Sequence, residues 1–115
     1  MSNPMKEYIY RAVVTKVTDG DTIYAEVDLG FHVKTKVKFR LANIDTWEIY
    51  SPKTPEELVL GREAKLLVEK LTLGQEVTIR SYKTGKYGRW LATVMLDDGR
   101  MLAPILREEG YEKTQ

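Results

Sequence analysis

A chain of 115 residues with 43% hydrophobic and 30% charged side chains has material for one folded core and little for a second. With no cysteine and one histidine, His32, it excludes disulfides, thiolate metal sites and multi-histidine centres, so any metal it holds is a hard cation on oxygen ligands. The net charge of +1 lacks the basic excess of a protein that coats nucleic acid, and no apolar run approaches the roughly 18 residues of a membrane span.

The opening stretch, Met1-Ser2-Asn3-Pro4-Met5-Lys6-Glu7, has no apolar segment of the kind that directs secretion. This predicts a cytoplasmic protein, although a secreted form after loss of its leader would read the same way. Tyr8 to Val17, rich in aromatic and β-branched residues, predicts a first strand. A turn at Thr18-Asp19-Gly20-Asp21 leads to a second, alternating strand over Thr22 to Val27. After a reversal at Asp28-Leu29-Gly30-Phe31, a third strand is expected from His32 to about Ile44, completing an antiparallel meander. Its two faces differ sharply. Val33, Val37 and Phe39 share one, while Lys34, Lys36, Lys38 and Arg40 share the other. The basic face then runs straight into Asp45, Thr46, Trp47 and Glu48.

Thr54-Pro55-Glu56-Glu57 predicts a helix start, with Thr54 as N-cap, Pro55 at the first helical position and Glu57 completing a capping box. Leu58, Gly61, Ala64, Leu67, Val68 and Leu71 follow at helical spacing, and Gly74 marks the stop. Gly61 in mid-helix points to close packing or a kink. Glu76 to Tyr82 predicts a fourth strand, Lys83 to Gly88 a glycine-bearing loop, and Arg89 to Leu96 a fifth strand. Asp97-Asp98-Gly99-Arg100 turns into a short closing helix near Leu102 to Glu109. Five strands with a helix between the third and fourth is the order of an OB-fold barrel, a mainly β architecture with helices packed on it (α+β).

Three clusters hold chemistry-bearing residues: Asp19-Gly20-Asp21-Thr22, Arg40 through Glu48, and Lys86-Tyr87-Gly88-Arg89. Each has an ordinary explanation alone. An Asp-Gly pair between strands makes a hairpin turn, alternating lysines guard a strand against edge pairing, and a Lys-Tyr-Gly-Arg run makes a solvated loop. Together they supply the parts of phosphodiester hydrolysis. Carboxylates from two loops can hold Ca²⁺ or Mg²⁺ through oxygen. Arginine's planar fork suits two phosphate oxygens. A further carboxylate beside the metal can activate water.

The segments VTDGDTIYAEV, FRLANIDTWE, LGREAKLLVEKL and KYGRWLATVML resemble, in order and spacing, the staphylococcal nuclease (thermonuclease) family, from about Val13 to Tyr111. The resemblance implies one domain over residues 1–115, with its core at about 8–111. It implies a hydrolase: a Ca²⁺-dependent endo- or exonuclease that cleaves DNA and RNA and leaves 3′-phosphate ends. By motif, Asp21 and Asp45 would be carboxylate ligands of the metal and Thr46 would add its backbone carbonyl. Arg40 and Arg89 would bind the scissile phosphate, Glu48 would be the general base, and Lys86 and Tyr87 would contact the bound nucleotide. The implied partner is nucleic acid, preferentially single-stranded, met by a monomer away from membranes. Lys34, Lys36 and Lys38 either extend the positive surface toward that strand or are simply solvated.

Two departures from the family pattern stand out. Trp47 occupies the place of a proline that would stiffen the loop carrying Glu48, and it offers a stacking surface to a base. The family's last C-terminal helix is missing after Tyr111. The alternative to an enzyme is an OB-fold module that binds nucleic acid or protein without cleaving; retention of the arginines, aspartates and glutamate favours the enzyme.

Overall fold

In the computed structural model, which describes residues 8–49, 53–84 and 90–113, the described residues form five strands and two helices. In chain order they are β1 (Tyr8–Asp19), β2 (Thr22–Asp28), β3 (Lys34–Leu41), α1 (Pro55–Thr72), β4 (Glu76–Thr84), β5 (Trp90–Met95) and α2 (Leu102–Glu108). The strands close into a barrel in the order β1-β2-β3-β5-β4. All neighbours are antiparallel except β3 and β5, which run parallel through Phe39↔Trp90, Arg40↔Leu91 and Leu41↔Ala92. This is the expected five-stranded barrel, with a helix between the third and fourth strands and a short helix near the end.

Alternation dictates the core. Ile23, Ala25 and Val27 of β2 and Phe39 and Leu41 of β3 point inward and are buried. Ala64 and Val68 of α1 and Leu102 and Leu106 of α2 complete the same cluster. β1 keeps its pattern only by breaking it, first at Thr15 and again between Val17 and Asp19. Val14 pairs with Ala25, but the next pair is Lys16 with Tyr24, so Thr15 is an extra residue in a β-bulge. Val14 and Val17 are thereby both buried, at an odd spacing that an unbroken strand would send to opposite faces.

The third strand is shorter than expected at both ends. Gly30, Phe31 and His32 all take positive φ, at 80°, 56° and 63°, so the reversal consumes His32. The loop is tied by the Leu29 N–H to the Val33 carbonyl at 2.8 Å and by the Gly30 N–H to Asp28 Oδ1 at 2.8 Å. At the other end the chain leaves the ladder after Leu41. The first strand, conversely, continues to Asp19, leaving Gly20 and Asp21 as the turn itself.

Helix α1 starts as its sequence predicts. The Glu57 N–H donates to Thr54 Oγ1 at 3.2 Å, with Pro55 in the first turn. The returning bond is displaced by one residue: Glu57 Oε1 accepts from the Lys53 N–H at 3.1 Å. Thr54→Ala removes one partner from this cap and is expected to cost about 1 kcal/mol, read as a melting temperature about 4 °C lower. An unchanged melting temperature would show that the helix start is held by packing alone. The face α1 buries is Gly61, Ala64, Val68 and Thr72. Leu58, Leu67 and Leu71, also expected on that stripe, are half-buried at its margins. Thr72 is tolerated inside because its hydroxyl donates to the Val68 carbonyl at 2.6 Å. Among the described residues no helix is long and apolar enough to cross a membrane.

Candidate active site

The turn between β1 and β2 carries Asp21 into the protein, where it is 8% exposed. A buried carboxylate needs donors, and Asp21 has two beside its charge partner. Thr22 Oγ1 donates to Oδ1 at 3.0 Å, and the Thr46 backbone N–H donates to Oδ2 at 3.0 Å. The Asp21 carbonyl in turn accepts from the Leu41 N–H at 2.8 Å, joining the turn to the end of β3.

Arg40 meets this carboxylate from β3. Its neighbours Phe39 and Leu41 point into the barrel, so Arg40 points out, opposite Thr22. Nη2 forms ion pairs with Asp21 Oδ2, at 3.4 Å, and with Asp45 Oδ1. Nη1 donates to the Leu41 carbonyl at 2.7 Å and the Ile44 carbonyl at 2.9 Å. Each terminal nitrogen thus has two contacts, and the guanidinium is fixed in plane and position. The two aspartates expected at a metal converge on this arginine.

The loop from Ala42 to Ile49 is held from several sides. The Ala42 N–H bonds to the Ala92 carbonyl, and the Lys113 N–H bonds to the Asp45 carbonyl at 2.7 Å. Thr46 forms an antiparallel bridge with Glu112. Two glycines set the spacing beneath it. A Cβ on Gly20 would lie 2.8 Å from Ala64 Cβ and 2.9 Å from Thr46 Oγ1. A Cβ on Gly61 would lie 2.8 Å from the Trp47 carbonyl oxygen and 3.3 Å from that of Glu48. Of the two expectations for Gly61, close packing is the one realised: α1 touches the backbone of the loop that carries Glu48.

Glu48 is exposed on this loop. It shares the site with Asp19, whose Oδ1 accepts from the Ile49 N–H at 3.3 Å. Partial burial raises the Asp19 carboxyl above its ordinary pKa; the Ile49 bond opposes this, and the negative charges of Asp21 and Glu48 add to it. Asp21 and Glu48 therefore both lie within electrostatic reach of Asp19. Asp19 reads in the sequence as an ordinary turn residue; its only distinguishing signal is its place two residues before Asp21.

Lys86, Tyr87 and Arg89 lie outside the described residues. Trp90, which begins β5, is in register with Phe39, the residue before Arg40. Trp47 is half-buried, with Lys113 Nζ 5.5 Å from its ring centroid. Among the described residues no three acidic or histidine side chains form a ready-made metal cage. The donor chemistry nevertheless suits a hard cation. Asp19, Asp21, Asp45 and Glu48 offer only carboxylate oxygen, and the buried Thr46 hydroxyl has no hydrogen-bond partner.

Comparison with known proteins finds relatives of the chain. The chain is 32% identical over 122 residues to Endonuclease YhcR of Bacillus subtilis, an alignment covering 96% of this chain and 9% of that protein. It is also 32% identical over 112 residues to the uncharacterized protein MJ1439 of Methanocaldococcus jannaschii, covering 81% of this chain and 52% of that one. The chain thus spans about half or less of the length of these relatives. Residues 38–115, which run from the second half of β3 through the Asp45–Glu48 loop, both helices and the last two strands, match the family described as staphylococcal nuclease homologue. The chain belongs to the staphylococcal nuclease homologue family.

Proposed function

We propose that this domain is a metal-dependent nuclease that uses Ca²⁺ to hydrolyse phosphodiester bonds of DNA and RNA, leaving 3′-phosphate ends. The observation that carries the reading is the convergence of Asp21, Arg40 and Asp45, with Glu48 three residues further along the same anchored loop. Family membership and the likeness to an endonuclease support it.

Asp21, Asp45 and the Thr46 carbonyl would hold the cation, which supplies charge neutralisation at the phosphate and lowers the pKa of bound water. The chain's own groups do the rest. Arg40 presents a planar donor set to the phosphoryl oxygens, where negative charge grows in the transition state. Its Nη2 rests against the Asp21 and Asp45 carboxylates; were those carboxylates to hold the cation, that nitrogen would be free to donate to phosphate. Glu48 accepts the proton of the attacking water at its carboxylate. Arg89, Lys86 and Tyr87 are assigned to the scissile phosphate and the bound nucleotide by their place in the motif.

The test is digestion of fluorescent DNA and RNA with Ca²⁺ against EDTA, followed by identification of the product ends. Cleavage that needs Ca²⁺ and yields 3′-phosphates is expected, with activity in EDTA lower by at least about 10³-fold. Cleavage unaffected by EDTA would remove the cation from the mechanism. Binding without cleavage would make the domain a recognition module.

A further inference from the structure

Three features of the outer face of β1-β2-β3 have no part in the site described above: a bulge, a tyrosine and an unbalanced row of charge. Following β3 away from Arg40, the outward positions are Lys38, Lys36 and Lys34, and the residues across from them on β2 are Tyr24, Glu26 and Asp28. Lys36 and Lys34 each stand across the ladder from a carboxylate, which offsets part of their charge although neither forms an ion pair within 4 Å among the described residues. Lys38 faces none. Its neighbour is Tyr24, and on the far side of Tyr24 stands Lys16.

The β-bulge at Thr15 puts Lys16 there. An unbroken ladder would place Thr15 opposite Tyr24 and turn Lys16 inward toward the position of Ile23. The extra residue re-aims the lysine outward, and Thr15 Oγ1 donates to the Tyr24 carbonyl at 3.3 Å beside it. Lys16 Nζ and Lys38 Nζ each lie 5.5 Å from the centroid of the Tyr24 ring. Both lysines are exposed, and neither has a carboxylate within ion-pair distance among the described residues. Two cations are thus drawn to one aromatic ring instead of sampling solvent. That lowers the ordering cost of gripping an anion. The row sits two residues from Arg40 along β3, about 7 Å.

We infer that Lys16 and Lys38, both held on Tyr24, form a phosphate-binding subsite that receives the backbone of a single nucleic-acid strand next to Arg40. The inference rests on the nuclease reading for the identity of the strand. It assigns the work to this one pair: Lys34 and Lys36, facing Asp28 and Glu26, contribute little.

Fluorescence anisotropy with a fluorescein-labelled single-stranded DNA oligonucleotide, in EDTA and over a range of salt, tests it without turnover. The Lys16→Ala/Lys38→Ala variant is expected to bind about tenfold more weakly at low salt, with a log–log salt slope shallower by about 1.4 for two lost phosphate contacts. Lys34→Ala/Lys36→Ala removes the same formal charge and is expected to shift affinity less than about threefold, because its charge is already offset. In Ca²⁺, the first variant should raise KM for the oligonucleotide and leave kcat unchanged. Equal losses in the two double variants, or an unchanged Lys16→Ala/Lys38→Ala, would overturn the subsite and leave the nuclease reading standing. Selective loss of binding by the Lys16→Ala/Lys38→Ala variant of a protein whose wild type never cleaves would uphold the subsite and end the nuclease reading. A wild type that binds no oligonucleotide ends the subsite too.

Discussion

Arg40→Gly should give a folded barrel that cleaves DNA at least about 10³-fold more slowly than the wild type, the loss expected when an arginine is removed from a phosphoryl-transfer site. The geometry says why the effect should be this large. One guanidinium spans the Asp21 and Asp45 carboxylates and two backbone carbonyls, so no neighbour can replace its aim. Arg40→Lys should be nearly as damaging, because a point charge with no planar fork cannot bond both carbonyls and both carboxylates. Stability should fall as well, by about 2 kcal/mol, since Asp21 is buried and loses its cationic partner. It keeps its bonds from Thr22 and Thr46, which limits the damage. Circular dichroism and thermal melting would separate the two effects. A variant that melts like the wild type and cleaves within tenfold of it would show that Arg40 only ties the loop to the barrel.

The second large effect is expected at a residue with no side chain at all. Gly61→Ala should slow cleavage by about 10 to 100-fold through the position of Glu48, because displacement of about 1 Å at a reacting group can cost 10²-fold. A Cβ there meets the Trp47 carbonyl oxygen at 2.8 Å, and that neighbour is backbone, so the loop must move. The steric cost is about 1–3 kcal/mol, against about 1 kcal/mol gained from alanine's better helix propensity. The net is a modest fall in melting temperature with a disproportionate fall in kcat. A protein that becomes more stable and keeps its activity would mean that the loop does not rest on α1. Substrate KM separates this from a binding defect and is expected to change little.

These two residues show how far the sequence could be read. Arg40 stands out because it ends a basic alternation directly before an acidic run, and alternation is a local property visible along the chain. The helix start at Thr54 is legible for the same reason. Gly61 carries a signal, since glycine in mid-helix demands an explanation, but its two explanations differ only in what lies opposite. That is tertiary information. The bulge at Thr15 has no local signature at all, because it exists only as a mismatch between β1 and β2. Lys16 is consequently invisible as an outward partner of Tyr24 until the strands are paired. The reversal consumed His32 because Phe31 and His32 both adopt left-handed backbone, a conformation uncommon for phenylalanine though less so for histidine. Asp19 reads as turn chemistry, and its place among carboxylates becomes apparent only when the Asp45–Glu48 loop is folded against it.

The parallel seam between β3 and β5 has a consequence for biosynthesis. Phe39 and Trp90 are neighbours in the barrel but leave the ribosome seconds apart, at roughly 5–20 residues per second. Through that interval β3 is the unprotected rim of a nascent three-stranded sheet, and a bare rim invites pairing with other chains. Lys34, Lys36 and Lys38 are exposed along it, and long, solvated lysine side chains alternating on a strand rim disfavour that pairing until β5 arrives.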